Sequence, residues 1–206
     1  MKKKYHYPRP QLYRESFQLL DGTWLLNHQL IQVPYPPQAP LSQYQGEIGE
    51  HHHYEKTFIL DKQMSGKEKS VHLHFGAVDQ IAKVYMNHQC VGEHQGGYLP
   101  FWFDITAFIQ EGENLLEVEV TDQLSTLYPY GKQKKKSGGM WYTPVSGIWQ
   151  SVWLEAVNKH YIQDLRITPT LEKIHLHVET MASSYQVKIK GDTFFFRIHL
   201  IKKILI

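Results

Sequence analysis

The stretch VHLHFGAVDQIAKVYMNHQCVGEHQGGYLPFWFDIT, from Val71 to Thr106, shows the pattern that dominates the chain. Its first residues alternate between apolar and polar side chains, namely Val71, Leu73 and Phe75 against His72 and His74. A period of two predicts a half-buried antiparallel strand with the histidines on its wet face. Further along, Asn87-His88 separates two more strand-like runs, and this pair suits a tight hairpin because Asn tolerates a positive φ. The stretch therefore predicts antiparallel β-structure.

The same alternation recurs outside this stretch. Asn114 to Val120 places three apolar residues on one face and Glu117 and Glu119 on the other. Further strands are predicted at Thr23 to Leu30, Tyr54 to Leu60, Gln80 to Met86, Gln89 to Glu93, Tyr98 to Phe103, Ile148 to Leu154 and Tyr161 to Thr168. Many short strands with turns every 8 to 12 residues or so indicate an all-β sandwich or jelly roll.

Three segments interrupt the strand pattern. Pro34 to Gly49 contains four prolines and is predicted to be a loop, since proline cannot donate to a sheet ladder. Asp122 to Pro144, hereafter the long loop, is rich in glycine and proline, and a connection of that length is usually functional or disordered. The best helical signal is a single turn at Asp104 to Gln110, with Asp104 as its cap.

The composition does not favour nucleic acid or a membrane as a partner. The chain has 206 residues, with 22 Lys and Arg against 20 Asp and Glu, so its net charge gives no reason to expect nucleic acid or a membrane surface as partner. The basic residues at the N-terminus are not followed by the apolar stretch of a signal peptide, and no long apolar run predicts a membrane helix. A single cysteine, Cys90, favours a reducing compartment. We therefore expect a cytoplasmic protein.

A series of motifs between Arg9 and Thr168 resembles the N-terminal sugar-binding domain of glycoside hydrolase family 2, the β-galactosidase and β-glucuronidase family. The motifs follow one another in the family's order: RPQLYRESFQLLDGTW (9–24), VPYPPQ (33–38), YEKTFIL (54–60), the stretch at 71–106, GENLLEVEVTD (112–122), GKQ (131–133) and MWYTPVSGIWQSVWLE (140–155). The resemblance implies a galactose-binding-like jelly-roll β-sandwich at residues 1–159. It also implies the start of a second, immunoglobulin-like β-sandwich at residues 160–206, with a boundary near Asn158 to His160.

The resemblance assigns no catalytic residue to this chain. Family members carry two catalytic Glu residues on a TIM barrel, which needs at least about 200 residues, and far fewer residues follow His160. Glu117 and Glu119 sit on an ordinary amphipathic strand and are interpreted as surface residues. We expect the non-catalytic N-terminal fragment of a family 2 glycosidase, inactive alone because the TIM barrel that would be its partner is missing. Two alternatives stay open: a free-standing carbohydrate-binding module, and a fragment that binds a separately encoded barrel.

The long loop contains the residues that could contact a sugar. The resemblance implies that this loop reaches the rim of an active site. Lys132 and Gln133 could donate hydrogen bonds to sugar hydroxyls, and Trp141 or Tyr142 could stack on a pyranose ring. Asp122, at the start of the loop, is a further candidate for the substrate rim. Alternatively, Trp141 and Tyr142 only fill the edge of the sandwich. Several family members have an Asp shortly before the Ser-Gly-Ile step, but no carboxylate occurs between Lys136 and Glu155 here, so the family's sugar preference does not carry over.

Thirteen histidines raise the question of a metal. His51 to His53 are consecutive, and two i, i+2 pairs occur at His72/His74 and His175/His177. No Cys pair or HExxH motif accompanies them, so they are interpreted as surface histidines, and neither a metal site nor a cofactor is expected.

The residues after Gly191, DTFFFRIHLIKKILI, differ in style from everything before them. They are apolar and basic and contain no turn residue. A shifted reading frame is the favoured explanation, and a natural edge strand is the alternative.

Overall fold

The described part of the chain is built from sixteen strands, and this β-structure is what the alternating sequence predicts. The computed structural model describes residues 7–171, 174–189 and 192–197. The strands are β1 (Phe17–Leu19), β2 (Gly22–Leu26), β3 (Gln29–Val33), β4 (His51–Ile59), β5 (Lys69–Phe75), β6 (Val78–Asp79), β7 (Ile81–Met86), β8 (Gln89–Gln95), β9 (Phe101–Asp104), β10 (Glu113–Thr121), β11 (Gly147–Ile148), β12 (Val152–Asn158), β13 (Ile162–Pro169), β14 (Ile174–Thr180), β15 (Ser184–Ile189) and β16 (Asp192–Arg197). Short 3-10 turns lie at Pro10–Leu12, Pro40–Ser42 and Lys62–Met64.

Two antiparallel sheets share one hydrophobic core. A four-stranded sheet has the order β1-β12-β5-β9, and a six-stranded sheet has the order β3-β2-β4-β10-β7-β8. Fully buried side chains from both sheets meet in this core, among them Trp24, Tyr54, Leu73, Phe75, Leu116 and Leu154. The small β6–β11 pair continues the layer at one end. An all-β sandwich is thus confirmed, whereas the finer jelly-roll assignment stays a prediction.

Hairpin turns account for one error in the predicted strands. The strand predicted from Thr23 to Leu30 is wrong, because Asn27 and His28 divide it into β2 and β3. Both residues have positive φ angles, 47° and 65°, as a two-residue hairpin with a primed turn requires. The predicted hairpin at Asn87-His88 is confirmed and has the same geometry, with φ angles of 52° and 64°.

The predicted wet face of β5 is also wrong. His72 and His74 are 4% and 5% exposed, as buried as the apolar residues beside them. The ring of His74 stacks on Trp153 and that of His72 stacks on Trp102, while Tyr161 contacts His72 edge-on. The cover comes from residues remote in sequence, so the local alternation could not reveal it. These two histidines, like the buried His52, are not surface residues.

The predicted loop at residues 34–49 and the predicted turn after Asp104 agree with the structure. Residues 34–49 contain no strand, and the single turn after Asp104 is present, with Asp104 Oδ1 accepting from the Thr106 amide at 2.9 Å.

β13 and β14 form a separate two-stranded sheet, as do β15 and β16. Asp192–Arg197, within the unusual tail, is therefore a paired strand, and residues 198–206 lie outside the described residues. In the part of the chain described, no helix has the length and apolar character needed to cross a membrane.

Candidate functional site

The long loop is held against the sandwich by Gln133. The Gln133 side chain is buried, and its amide nitrogen donates to the Tyr98 hydroxyl at 3.1 Å. Its carbonyl oxygen accepts from the Val145 amide at 2.6 Å. Both ends of the side chain are thus occupied by the protein, and Gln133 positions the loop beside Tyr98. The residue is only 8% exposed, and its predicted contact with a sugar stays a prediction.

Two aromatic residues of the long loop, Trp141 and Tyr142, face solvent. Gly138 to Trp141 form a tight turn with reciprocal backbone hydrogen bonds of 3.3 and 3.2 Å, and the Tyr142 amide donates to the Lys132 carbonyl at 2.8 Å. Trp141 and Tyr142 are 40% and 68% exposed, and Tyr98 nearby is 41% exposed. The Lys134 ammonium lies 5.8 Å from the centre of the Trp141 ring. Neither Trp141 nor Tyr142 fills the core, so the ring faces that Lys134 does not cover are available for stacking.

Four lysines of the long loop are exposed, and one of them lies over an aromatic ring. They are Lys132, Lys134, Lys135 and Lys136, and Lys135 forms an ion pair with Glu50 at 2.5 Å. Among the described residues, Lys132, Lys134 and Lys136 have no carboxylate within ion-pair distance. Tyr98, Trp141 and Tyr142, hereafter the aromatic patch, lie around Gln133, which hydrogen-bonds to Tyr98 and pairs with Tyr142. The positive charge beside the patch is that of Lys134 at Trp141.

Asp122 and Asp79 form a buried acidic pair under the same end of the sandwich. Asp122 Oδ1 accepts from the Leu124 amide at 2.7 Å, and burial raises the pKa of its carboxyl group. Burial, with a smaller contribution from the charge of Asp122, raises the pKa of Asp79 to about 7. Asp79 is 1% exposed, and its Oδ1 has no hydrogen-bond partner among the described atoms. The predicted role of Asp122 at the substrate rim would therefore need this buried residue to become accessible.

Gly97 leaves the space that the Asp79 carboxyl group occupies. A Cβ atom at position 97 would lie 2.1 Å from Asp79 Oδ1. Gly97 is thus required by close packing, whereas its neighbour Gly96 has a positive φ, at 109°. The local sequence gives no signal for the Asp79 pocket, because the burial that raises the pKa of its carboxyl group comes from other loops.

A second polar cluster lies on the outer face of the four-stranded sheet, around Glu155. This carboxylate is 1% exposed, and the Arg9 Nη2 atom donates to both of its oxygens, at 3.0 and 3.1 Å. Arg14 approaches it at 3.5 Å, His74 at 3.3 Å and the Trp153 indole at 2.9 Å, and the Tyr7 hydroxyl also donates to it. Burial alone would raise the pKa of Glu155, but its interactions with His74, Trp153 and Tyr7 outweigh burial and hold this pKa well below its usual range.

The Glu155 cluster lines a cavity of about 410 Å³ between the sandwich and the β13–β14 hairpin. Its walls include Arg14, His72, Trp102, Glu155, Tyr161 and Asp164. The donors around Glu155 hold its carboxylate, so the cluster joins the N-terminal segment to the sheet. Arg9 Nε, Arg14 Nε and His74 Nε2 are buried there without a hydrogen-bond partner among the described atoms. The one sequence signal for it is an acidic residue within the apolar run Val152 to Val157.

Comparison with known proteins identifies a matching family model and similar β-galactosidases and β-glucuronidases. Residues 28–157 match the family model described as "Glycosyl hydrolases family 2, sugar binding domain". A β-galactosidase of Thermoanaerobacter pseudethanolicus is 40% identical over 115 residues, which cover 54% of this chain and 14% of that protein. A β-glucuronidase of Formosa agariphila is 31% identical over 126 residues, which cover 61% of this chain and 12% of that protein.

Solved structures show the same fold. A β-glucuronidase of Ruminococcus gnavus superposes with a TM-score of 0.70 at 20% identity, over 97% of this chain and 39% of that one. A β-D-glucuronidase of Dictyoglomus thermophilum superposes with a TM-score of 0.63 at 24% identity, over 87% of this chain and 35% of that one. The chain spans less than a fifth of the two curated relatives and about two fifths of these solved chains.

Proposed function

Because the chain belongs to glycosyl hydrolase family 2, through the sugar binding domain of that family, we propose that it is the non-catalytic, carbohydrate-facing part of a glycosidase. In this proposal the catalytic carboxylates lie outside the chain, on a partner barrel. The chain contributes the aromatic patch of Tyr98, Trp141 and Tyr142 to the rim of the sugar site. The same proposal includes a reducing, cytoplasmic location, which suits the exposed thiol of Cys90.

The observation that carries the proposal is the exposure of the aromatic patch. A pyranose ring presents an apolar face, and an aromatic ring with a free face can cover it while the sugar hydroxyls stay hydrated. Trp141 and Tyr142 offer such faces on a loop whose backbone is fixed by the Gln133 contacts. Fixing the loop in advance reduces the entropy lost when a ligand binds.

The carboxyl groups under the loop do not suggest catalysis by this chain. A retaining glycosidase needs an acid and a nucleophile about 5 Å apart, both in contact with the sugar. Asp79 and Asp122 are both buried beneath the loop surface. We therefore expect no turnover of chromogenic β-galactosides or β-glucuronides by the purified chain, and measurable turnover that survives further purification would contradict the proposal.

Sugar binding is tested by calorimetry of the purified chain with a panel of neutral and acidic monosaccharides and their β-glycosides. We expect weak binding with millimolar dissociation constants, weakened about fivefold or more by Trp141→Ala or Tyr142→Ala. Tyr85→Ala, which removes a ring from the outer face of the six-stranded sheet, is the matched control and should bind as the unchanged chain does.

The lysines of the long loop sharpen this test. Lys132, Lys134 and Lys136 should favour a uronic acid over a neutral sugar, and this preference should decrease as salt rises because exposed charges are screened. The absence of heat for every sugar at millimolar concentrations would reject the carbohydrate-facing role. Equal weakening by Tyr85→Ala would reject the assignment to the long loop.

A further inference from the structure

Two glutamates face each other on the outer surface of the six-stranded sheet. Glu55 on β4 lies directly opposite Glu117 on β10 in the antiparallel register. Their side chains are 24% and 15% exposed, so both carboxylates are shielded from much of the solvent. Like charges directly opposite each other destabilise a sheet. Among the described residues, no lysine or arginine lies within ion-pair distance of either carboxylate.

Imidazoles surround this pair of glutamates instead. His53 lies two residues before Glu55 on the same face of β4, and its Nε2 atom is 3.9 Å from an oxygen of Glu55 and 3.9 Å from an oxygen of Glu117. One ligand atom from each of these three residues lies within 4.8 Å of the other two. A group placed between these atoms would contact one nitrogen and two oxygens.

The two tight hairpins bring a further imidazole to each glutamate. His88, in the turn between β7 and β8, has its Nδ1 atom 2.9 Å from Glu117 Oε2. His28, in the turn between β2 and β3, has its Nδ1 atom 3.7 Å from Glu55 Oε2. Both turn histidines are largely exposed, so their rings can rotate toward the glutamates without disturbing the core.

We propose that His53, Glu55 and Glu117 bind a divalent transition-metal ion of the zinc class, with His88 or His28 as the fourth ligand. Zinc takes four ligands from imidazole nitrogens and carboxylate oxygens at about 2.0–2.2 Å, and imidazole ligands favour zinc, nickel and copper over magnesium or calcium. The ion supplies the positive charge that the facing glutamates lack and ties two neighbouring strands and a hairpin together. The site lies on a face of the sandwich that the proposed sugar contact does not use.

The neighbouring histidines separate this site from nonspecific binding by a run of histidines. His52 points into the sandwich, where its Nε2 atom contacts the Ser146 hydroxyl at 2.9 Å, and burial lowers its pKa to about 4. His51 faces outward but contacts Thr121 at 3.2 Å, away from both glutamates. Of the three consecutive histidines, His53 is thus the one placed to bind with Glu55 and Glu117.

The test is calorimetry of the untagged, EDTA-treated full chain with Zn²⁺, with Mg²⁺ as the comparison ion. We expect one Zn²⁺ per chain and no detectable Mg²⁺ binding. His53→Gln and Glu117→Gln should each weaken Zn²⁺ binding by at least about tenfold, the lower end of the loss that even an outer hydrogen-bond partner of a ligand causes. His51→Gln is the matched control and should bind Zn²⁺ as the unchanged chain does.

A spectroscopic measurement distinguishes a variant that has lost the metal site from one that has only lost stability. Co²⁺ added to the unchanged chain should give the visible absorption bands of a four-coordinate site, and Glu55→Gln or Glu117→Gln should abolish them while the circular dichroism spectrum stays the same. Zn²⁺ affinity unchanged in Glu117→Gln would overturn the proposal. An equal loss in His51→Gln would also overturn it, because it would show that the run of histidines binds without the glutamates.

Discussion

Asp79 is a carboxyl group in a place that favours its neutral form. It is buried, its Oδ1 atom lacks a donor among the described atoms, and Asp122 lies near enough to oppose a second negative charge. Its pKa of about 7 in the folded chain compares with 3.8 for an ordinary aspartate. The folded state therefore retains a proton that the unfolded state releases between these two values.

We predict that Asp79→Asn makes the chain more stable than the original at pH 8 and that this advantage disappears near pH 4. The stability that comes from the raised pKa of Asp79 is fully present below about pH 4. It is lost as the pH rises toward 7, at about 1.4 kcal/mol per pH unit. Asparagine does not titrate, so Asp79→Asn does not lose stability in this way. Thermal unfolding at pH 4, 6 and 8 checks this. Glu111→Gln, an exposed control, should show no such trend, and a difference for Asp79→Asn that is constant with pH would contradict the prediction.

At the scale of elements, β12 is held to the N-terminal segment by Glu155. Arg9, Arg14 and Tyr7 all reach this one carboxylate from residues that precede β1. Removing the charge of Glu155 leaves two guanidinium groups beside a buried neutral side chain. Breaking one partner of a buried ion pair costs about 3–5 kcal/mol, and the partial exposure of Arg9 places the expected cost toward the lower end.

We predict that Glu155→Gln lowers the free energy of unfolding by about 3 kcal/mol at pH 7, measured by urea denaturation. Glu119→Gln, on the outer face of β10, should change it by no more than about 0.5 kcal/mol. Because the pKa of Glu155 is lowered by folding, its contribution is present above the pKa of an ordinary glutamate and is lost as the pH falls below it. The gap between Glu155→Gln and the original chain should therefore narrow in acid, and a gap that widens there would refute the assignment.

The strands could be predicted where burial is decided by neighbours within the strand. β10 is the clearest case, since Leu116, Val118 and Val120 are buried, whereas Glu119 is exposed and Glu117 is half-buried. β5 could not be predicted in the same way, because its histidines are covered by Trp102, Trp153 and Tyr161 from distant segments. The sequence prediction does not divide the strand at Asn27-His28, although the same Asn-His pair predicts the second hairpin, at Asn87-His88, correctly.

The candidate sites show the same division between local and long-range information. Trp141 and Tyr142 could be selected from the sequence because a glycine-rich loop exposes its aromatic residues. The burial of Asp122 and Gln133, the acidic character of the Asp79 pocket and the His53, Glu55 and Glu117 group depend on strand register and on contacts between loops. Register is set by how strands pair, which spacing along one strand does not encode.

At the scale of the whole molecule, the β13–β14 hairpin lies outside the two large sheets. Two-stranded hairpins are marginally stable in water unless they pack against other elements. Among its contacts with the sandwich are the edge-on packing of Tyr161 on His72 and the Arg14 guanidinium, which lies 5.4 Å from the centre of the Tyr161 ring. The domain boundary predicted near residues 158–160 stays a prediction, and these contacts would cross it.

We predict that amide hydrogens of β13 and β14 exchange faster than those of β5 and β12, and that Tyr161→Ala accelerates exchange in the hairpin alone. The physical reason is that local opening requires less free energy where few buried contacts hold an element. Hydrogen exchange followed by mass spectrometry measures this, with Trp141→Ala as a control that should leave the hairpin unchanged. Equal protection of the hairpin and the sandwich would show that the hairpin is anchored by more than these contacts.

The order of strands in the four-stranded sheet constrains how the chain can fold during synthesis. β1 pairs with β12, which also forms the link to β5 and β9. β1 therefore leaves the ribosome long before its partner Val152–Asn158 has emerged, and Arg9 and Arg14 likewise emerge long before Glu155. Domains with such distant pairings fold slowly and expose apolar edges meanwhile. A ribosome stalled before residue 152 should carry a nascent chain that is protease-sensitive along its whole length, however favourable its individual hairpins.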